Sequence, residues 1–144
     1  MAKYNITEKK DNPAGIKVIA SPGVMNELKR RILDVVVVKK KYKDKDYSAK
    51  LLAKDICTNT RYLSAALNLC FNSNYSSFIN NYRVEEAKSM LVDSRYQNLR
   101  MEEISDAVGF SNRQSFYASF YRVTGMTPRE YRKQNYNKHN EHNR

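Results

Sequence analysis

The sequence predicts an all-α fold, with two copies of a helix, tight turn, helix unit joined by a central connecting helix. Three observations predict it. Apolar residues recur at the three- and four-residue intervals of a helix face. Small polar residues stand where those runs begin, as N-caps do. The pattern of the middle of the chain also returns near its end. Ile104 and Val108 repeat Leu52 and Ile56 at a shift of 52 (104 − 52), and Phe116 and Phe120 repeat Leu63 and Leu67 at a shift of 53 (116 − 63).

Taken in order, residues 1–24 read as a flexible arm, because Pro13, Gly15, Pro22 and Gly23 flank only a short apolar patch. A helix is expected over residues 25–41, with Leu28, Ile32, Val35 and Tyr42 on one stripe. Its four successive valines favour a strand by propensity, but charged flanks without turn residues favour the helix. The lysine-rich residues 39–45 form a connector. Ser48 caps the next helix, whose inward positions are Leu51, Leu52 and Ile56. Asn59 caps the one after, which buries Leu63, Ala66, Leu67 and Cys70.

A connecting helix follows over residues 77–92, with Phe78, Ile79, Tyr82, Met90 and Leu91 as its apolar positions. In the second copy Arg100 precedes the first helix where a Ser or Thr cap is usual, so this helix start is expected to fray. Glu102 and Glu103 still suit its positive dipole end. The second turn carries one extra residue and Gly109, where positive φ is expected. At the shift of 53, Asn72 pairs with Gly125, the two residue types that best end a helix in the left-handed conformation. Asn74 likewise pairs with Thr127, and Thr127-Pro128-Arg129-Glu130 reads as a capping box opening the last helix. The domain reading is an arm (1–24), a body (25–134, divided at 76 and 95 by the connecting helix) and a disordered polar tail (135–144).

The chain carries 26 Lys and Arg against 15 Asp and Glu, a net charge of +11 with pI near 9.7. A small basic protein points to a polyanionic partner. No apolar run approaches the ~20 residues that span a bilayer, and residues 1–10 lack the apolar core of a secretory signal. A cytoplasmic, nucleoid-associated protein is expected. Cys57 and Cys70 read as small buried hydrophobes in a reducing compartment rather than as sensors. His139 and His142 form an HxxH with no further ligand nearby, so no metal and no cofactor is expected. No phosphate-binding glycine loop, nucleophile elbow or ligand cluster marks an enzyme.

A tight two-helix unit of this kind can place its second helix in the DNA major groove, with N-terminal residues at base edges. Outward positions of the first such helix are Thr60, Arg61, Ser64, Ala65 and Asn68. Those of the second are Arg113, Gln114, Tyr117, Ala118 and Arg122. Arg pairs with guanine and Gln with adenine, each through two hydrogen bonds. The helix N-termini capped by Asn59 and Asn112 offer N–H groups to phosphate. Tyr117 suits either a phosphate contact or a place over the core. Residues 112–144 hold seven Lys and Arg against Glu130 and Glu141, a concentration that favours phosphate contact.

RYLSAAL…FINNYRVEEAKSML followed by GFSNRQSFYASFYRVTGMTPREYRK resembles the DNA-binding domain of AraC/XylS-family transcription regulators, over residues 48–133. The resemblance implies about seven helices and two recognition helices, about 60–70 and 113–123, in successive major-groove segments of double-stranded DNA. It implies base-facing roles for Thr60, Arg61, Ser64, Ala65, Arg113, Gln114, Tyr117 and Ala118, and phosphate contacts from Asn59, Asn68, Asn112 and Arg122. Ala65 and Ala118 stand where relatives often carry long polar side chains, so these positions can touch only a thymine methyl or nothing. A connecting helix of about 16 residues reaches only ~24 Å, against ~34 Å between successive groove faces, so bent DNA is expected. Some 47 residues precede Ser48, too few for the family's usual sensor barrel, so a stand-alone regulator without a small-molecule ligand is expected. RNA polymerase is a further candidate partner. The alternatives are a protein-interaction module and a weakly specific architectural binder.

Overall fold

In a computed structural model, the protein is described over residues 21–142, with side chains described through residue 135. Seven α-helices and no strand occur among the described residues: α1 (Pro22–Leu33), α2 (Ala49–Asp55), α3 (Thr60–Phe71), α4 (Tyr75–Val92), α5 (Met101–Val108), α6 (Arg113–Thr124) and α7 (Pro128–His142). The all-α expectation holds. They group into two compact units. The first takes in the described residues up to Lys41 together with Tyr47–Phe78, and the second takes in Tyr42–Asp46 and the residues from Ile79 onward. Residues 42–46, expected with the first unit from their place in the chain, thus pack with the second.

In the first unit α1 buries Met25, Leu28 and Ile32. Its start corrects the arm boundary: Pro22 takes the first turn, where its missing N–H costs nothing. Residues 1–20 of the expected arm lie outside the described residues. The expected helix over 25–41 also stops being α-helical after Leu33. Asp34–Val38 form a π-turn closed by the Lys39 N–H on the Asp34 carbonyl at 3.0 Å. Four consecutive β-branched residues crowd an α-helical turn, and the wider turn buries Val35 and Val36 while Val38 stays exposed. Lys40 then takes φ +54° and ends the run. In α2, Ser48 caps as expected by accepting from the Leu51 N–H at 3.2 Å. Leu52, Ala53 and Ile56 are buried, but Leu51, expected inward, is exposed. On a seven-residue helix only one narrow face meets the core, and Leu51 stands about 100° from Leu52.

The second unit has an aromatic core. Phe110, Phe116 and Phe120 are fully buried with Val84, Leu91, Ile104 and Val108. Phe116 meets Phe120 edge-on at 5.9 Å between centroids, and Phe120 meets Tyr131 edge-on at 5.4 Å. Arg83, on α4, is 9% exposed. Its Nε donates to the Tyr42 carbonyl at 2.6 Å and its Nη2 to the Asp44 carbonyl at 3.1 Å, and its guanidinium lies over the Phe110 ring at 5.6 Å. The segment 42–46 is fixed by this fork, by Lys43–Glu86 at 2.9 Å and by Lys45–Asp106 at 2.7 Å. Its phenol, Tyr42, donates to Glu86 at 3.2 Å, and burial followed by the Glu86 charge pushes its pKa up to about 12.

Three further differences concern ends. The connecting helix starts at Tyr75, two residues early, because Asn74 accepts from the Ser77 N–H at 2.8 Å and caps it. The start of α5 is closed by Glu103, which accepts from the Arg100 N–H at 2.7 Å. Arginine has no acceptor, so only the Glu half of a capping box forms. The disordered tail expected from residue 135 is helical to His142, since no Gly or Pro interrupts α7 after Pro128. The side chains of His139 and His142 lie outside the described ones.

Candidate nucleic-acid interface

The two copies repeat backbone devices as well as apolar positions. Asn59 accepts from the Tyr62 N–H at 2.9 Å and Asn112 from the Ser115 N–H at 2.8 Å. Asn72 ends α3 at φ +49° and Gly125 ends α6 at φ +76°. Asn74 and Thr127 then cap the following helices, with Thr127 accepting from the Glu130 N–H at 3.2 Å while Glu130 accepts from the Thr127 N–H at 3.1 Å. All three pairs are 53 residues apart (112 − 59). The α3 and α6 copies thus have the same start, stop and length.

The turns between the helices differ where the shift changes. Cys57 and Gly109, 52 residues apart (109 − 57), both have positive φ, +62° and +105°. The Thr58 and Phe110 N–H groups behind them bond back to Ala53 and Ser105 at 2.8 and 3.0 Å. Through Phe110 the two turns match, so the extra residue of the second copy is Ser111. Cys57 is exposed, which corrects its reading as a buried hydrophobe. Cys70 is half-buried with its thiol toward the Met25 carbonyl at 3.8 Å, and both cysteines are free. At Gly109 a Cβ would lie against the Tyr42 carbonyl oxygen and within 2.8 Å of the Lys43 carbonyl carbon, so glycine is required there.

Helix α3 packs Tyr62, Leu63, Ala66 and Leu67 inward. Of the expected base-facing residues, Thr60 and Ser64 are exposed, as is Asn68, whereas Arg61 and Ala65 are half-buried. Helix α6 packs Phe116, Ser119 and Phe120 inward and exposes Arg113, Gln114, Ala118 and Arg122. Tyr117 is half-buried. Its ring meets Phe116 edge-on at 5.8 Å, and the Arg113 guanidinium stacks over it at 4.9 Å with Nη2 donating to the phenol oxygen at 3.3 Å. Tyr117 thus covers Phe116 and holds Arg113. Arg122 donates to Asn81 at 3.0 Å, which anchors it to α4. The Asn59 and Asn112 carbonyl oxygens are committed to capping, which leaves their amide N–H groups and the helix N-termini for an anion. Neither helix has an acidic residue in its first turn, so nothing offsets the positive dipole ends.

Sequence reasoning missed Arg83, Tyr62 and Phe110. A signal for Arg83 existed: it stands four residues from both Ile79 and Ala87, on the inward stripe of α4, where a lone charge requires buried partners. No helix is long and apolar enough to cross a membrane, and no group of three or more His, Cys, Asp or Glu suits a metal ion, among the described residues.

Residues 52–134, more than half of the chain, match a family model described as a helix-turn-helix domain. Two curated relatives come from Bacillus subtilis. The uncharacterized HTH-type transcriptional regulator YtdP is 29% identical over 83 residues, covering 58% of this chain and 10% of that protein. The uncharacterized HTH-type transcriptional regulator YobQ is 43% identical over 56 residues, covering 39% of this chain and 22% of that protein. The chain thus spans a small part of these relatives. Among solved structures, the C-terminal domain of the two-component response regulator yesN from Fusobacterium nucleatum is similar with TM-score 0.63 and 25% identity, covering 72% of this chain and 96% of that one. The C-terminal domain of AraT, a response regulator from Geobacillus stearothermophilus, shares the fold with TM-score 0.62 at 21% identity, covering 79% of this chain and 86% of that one. With two copies of the helix-turn-helix unit and a family model that matches across both, the chain belongs to the AraC-type helix-turn-helix family of DNA-binding transcription regulators.

Proposed function

We propose that the protein is a sequence-specific regulator that inserts α3 and α6 into successive major-groove segments of double-stranded DNA. The observation that carries this reading is the matched presentation of the two helices: same cap, same length, same left-handed stop, and polar side chains on the outward N-terminal positions. A packed helical hairpin without a ligand has no need of such a face in both copies.

The second helix carries the stronger base readout. Arg113 and Gln114 are exposed at its first two positions and have the donor and acceptor sets that pair with guanine and adenine. Thr60 and Ser64 supply hydroxyls from α3, and Ala65 and Ala118 supply only methyl contact. Backbone N–H groups at both helix starts, with the amides of Asn59, Asn68 and Asn112, take phosphates, and Arg122 adds a further phosphate contact when it swings from Asn81. The linking helix α4 has 18 residues and is about 27 Å long, short of the ~34 Å between successive groove faces. Bending the DNA, at about 1–6 kcal/mol, closes that gap.

Selection of binding sites from random duplexes tests the reading. Two preferred blocks with centres about 10 base pairs apart are expected, and migration in circular-permutation gels should show a bend. A single block, or equal binding to selected and random DNA, overturns it in favour of an architectural binder, and no binding at all in favour of a protein-interaction module.

A further inference from the structure

The second unit contains a cleft of about 460 Å³ that adjoins the base-reading face and shares only Arg113 with it. Three stretches form it: the residues leading into α5, the first residue of α6, and the first turns of α7. Arg100, Arg113, Arg129, Arg132 and Lys133 bring five positive charges to its wall, against one acid in the lining, Glu102, and Glu103, which pairs with Arg100 at 3.9 Å. Leu99 and Met101 add an apolar side. Arg132 is fixed in place, half-buried, with its Nη1 and Nη2 donating at 3.4 Å to the carbonyls of Leu99 and Tyr96. Arg129 and Lys133 are exposed, and among the described residues no carboxylate forms an ion pair with either.

We propose that this cleft is a receptor for a small phosphate-bearing molecule that also has an apolar moiety, such as a nucleotide or another phosphorylated metabolite. Like charges gathered in one concavity repel, and an anion of two or more charges relieves this. Guanidinium groups are the side chains best suited to phosphate oxygens, which they take in pairs of hydrogen bonds. The volume lies in the range of small-molecule sites, roughly 300–1,000 Å³, and exceeds what a single backbone phosphate would fill. Leu99 and Met101 provide the apolar contact that a bare inorganic anion cannot use.

The cleft shares Arg113 with the proposed base-reading face. Arg113 is held over Tyr117 at 4.9 Å, at the first position of α6. An anion in the cleft draws this guanidinium away from DNA, so occupancy lowers DNA affinity. This coupling rests on the DNA-reading role proposed above; binding of the anion does not.

Calorimetric titration of the full chain with ADP and with inorganic pyrophosphate, without DNA, tests the receptor. Both should saturate, ADP should bind more tightly, and amide NMR shifts should concentrate at residues 99–102, 113 and 129–133. The Arg129→Ala, Lys133→Ala double variant, with folding verified by its thermal melt, should weaken ADP at least about 10-fold, the loss expected when charged contacts are removed. Lack of saturation by about 5 mM (a Kd beyond the range of a built site), unchanged affinity in the variant, or shifts spread over every basic surface would overturn the proposal. Pyrophosphate binding as tightly as ADP would refute the amphiphilic ligand class. Gel shifts on selected and random DNA, run without anion, score DNA reading separately: a protein that binds ADP in the cleft but ignores DNA sequence retains the receptor and loses only the coupling.

Discussion

Arg83→Ala should destabilise the second unit by about 3–5 kcal/mol. Arg83 is 9% exposed, and its guanidinium donates to the Tyr42 carbonyl at 2.6 Å and the Asp44 carbonyl at 3.1 Å. A hydrogen bond from a charged donor contributes about 1.5–3 kcal/mol, and the contact with the Phe110 ring adds about 0.5–2 kcal/mol. These terms share one side chain and do not add fully, hence the range below their sum. Arg83→Lys keeps the charge but not the fork. It can serve one of the two carbonyls, so it should lose roughly half as much. Gly109→Ala acts on the same segment from the other side, because its Cβ would meet the Tyr42 carbonyl and because φ +105° is strained for alanine. If Arg83 holds residues 42–46 against Gly109, freeing the segment removes the clash, and the Arg83→Ala, Gly109→Ala double variant should be about 1–2 kcal/mol less destabilised than the two single losses added. Urea unfolding followed by far-ultraviolet circular dichroism measures all four proteins. A loss under about 1 kcal/mol for Arg83→Ala, or strict additivity with Gly109→Ala, would refute the view that this arginine clamps the connector.

Other expectations follow from the same geometry. Gln114→Ala should cost about 1–3 kcal/mol on a selected DNA site and relax preference at one base pair, with little change on random duplexes; equal loss on both sets, read by gel shift, removes it from base reading. Tyr117→Leu keeps the core cover but drops the stacked partner of Arg113, so specific binding should weaken while the melting temperature changes little; a large fall in melting temperature makes Tyr117 a core residue only. Glu27 is held at a pKa of about 2, first by its hydrogen bond from Arg30 and then by that from Arg31. A carboxyl depressed on folding stabilises above its unfolded pKa and loses that contribution as pH falls toward 2. Urea midpoints measured across this window should therefore drop in the native protein and flatten in Glu27→Gln. Tyr42 moves the opposite way. Its pKa of about 12 means the unfolded phenol ionises first, so stability should fall between about pH 10 and 12, a slope that Tyr42→Phe should reduce.

The duplicated unit was legible because local physics wrote it twice. Asn59 and Asn112, Asn72 and Gly125, Asn74 and Thr127 each satisfy orphaned groups at a helix end, and each does so with a residue type suited to that end alone. Such signals need no partner distant in the chain. What the sequence concealed depends on distant partners. Gly109 reads as a turn glycine from sequence, yet Cys57 takes the same left-handed φ with a side chain. The demand for glycine comes from the Tyr42 carbonyl, 67 residues earlier (109 − 42). Arg61 and Gln114 hold the same position of the repeat (114 − 61 = 53), yet one is half-buried and the other exposed.

That inequality has a consequence for how the two halves share recognition. The exposed face of α3 offers hydroxyls and an amide from Thr60, Ser64 and Asn68, while α6 adds the full charge of Arg113 and Arg122. Hydroxyls accept or donate to several bases, whereas Arg and Gln each favour one. Charged contacts also release counterions, and neutral ones do not. The block contacted by α6 should therefore be the better defined of the two in selected sites. Arg122→Ala should reduce the slope of log affinity against log salt by about 1, and Ser64→Ala should leave it unchanged. Matching slopes for these two variants would mean that the charge on α6 faces solvent in the complex, and the division of labour between the helices would fail with it.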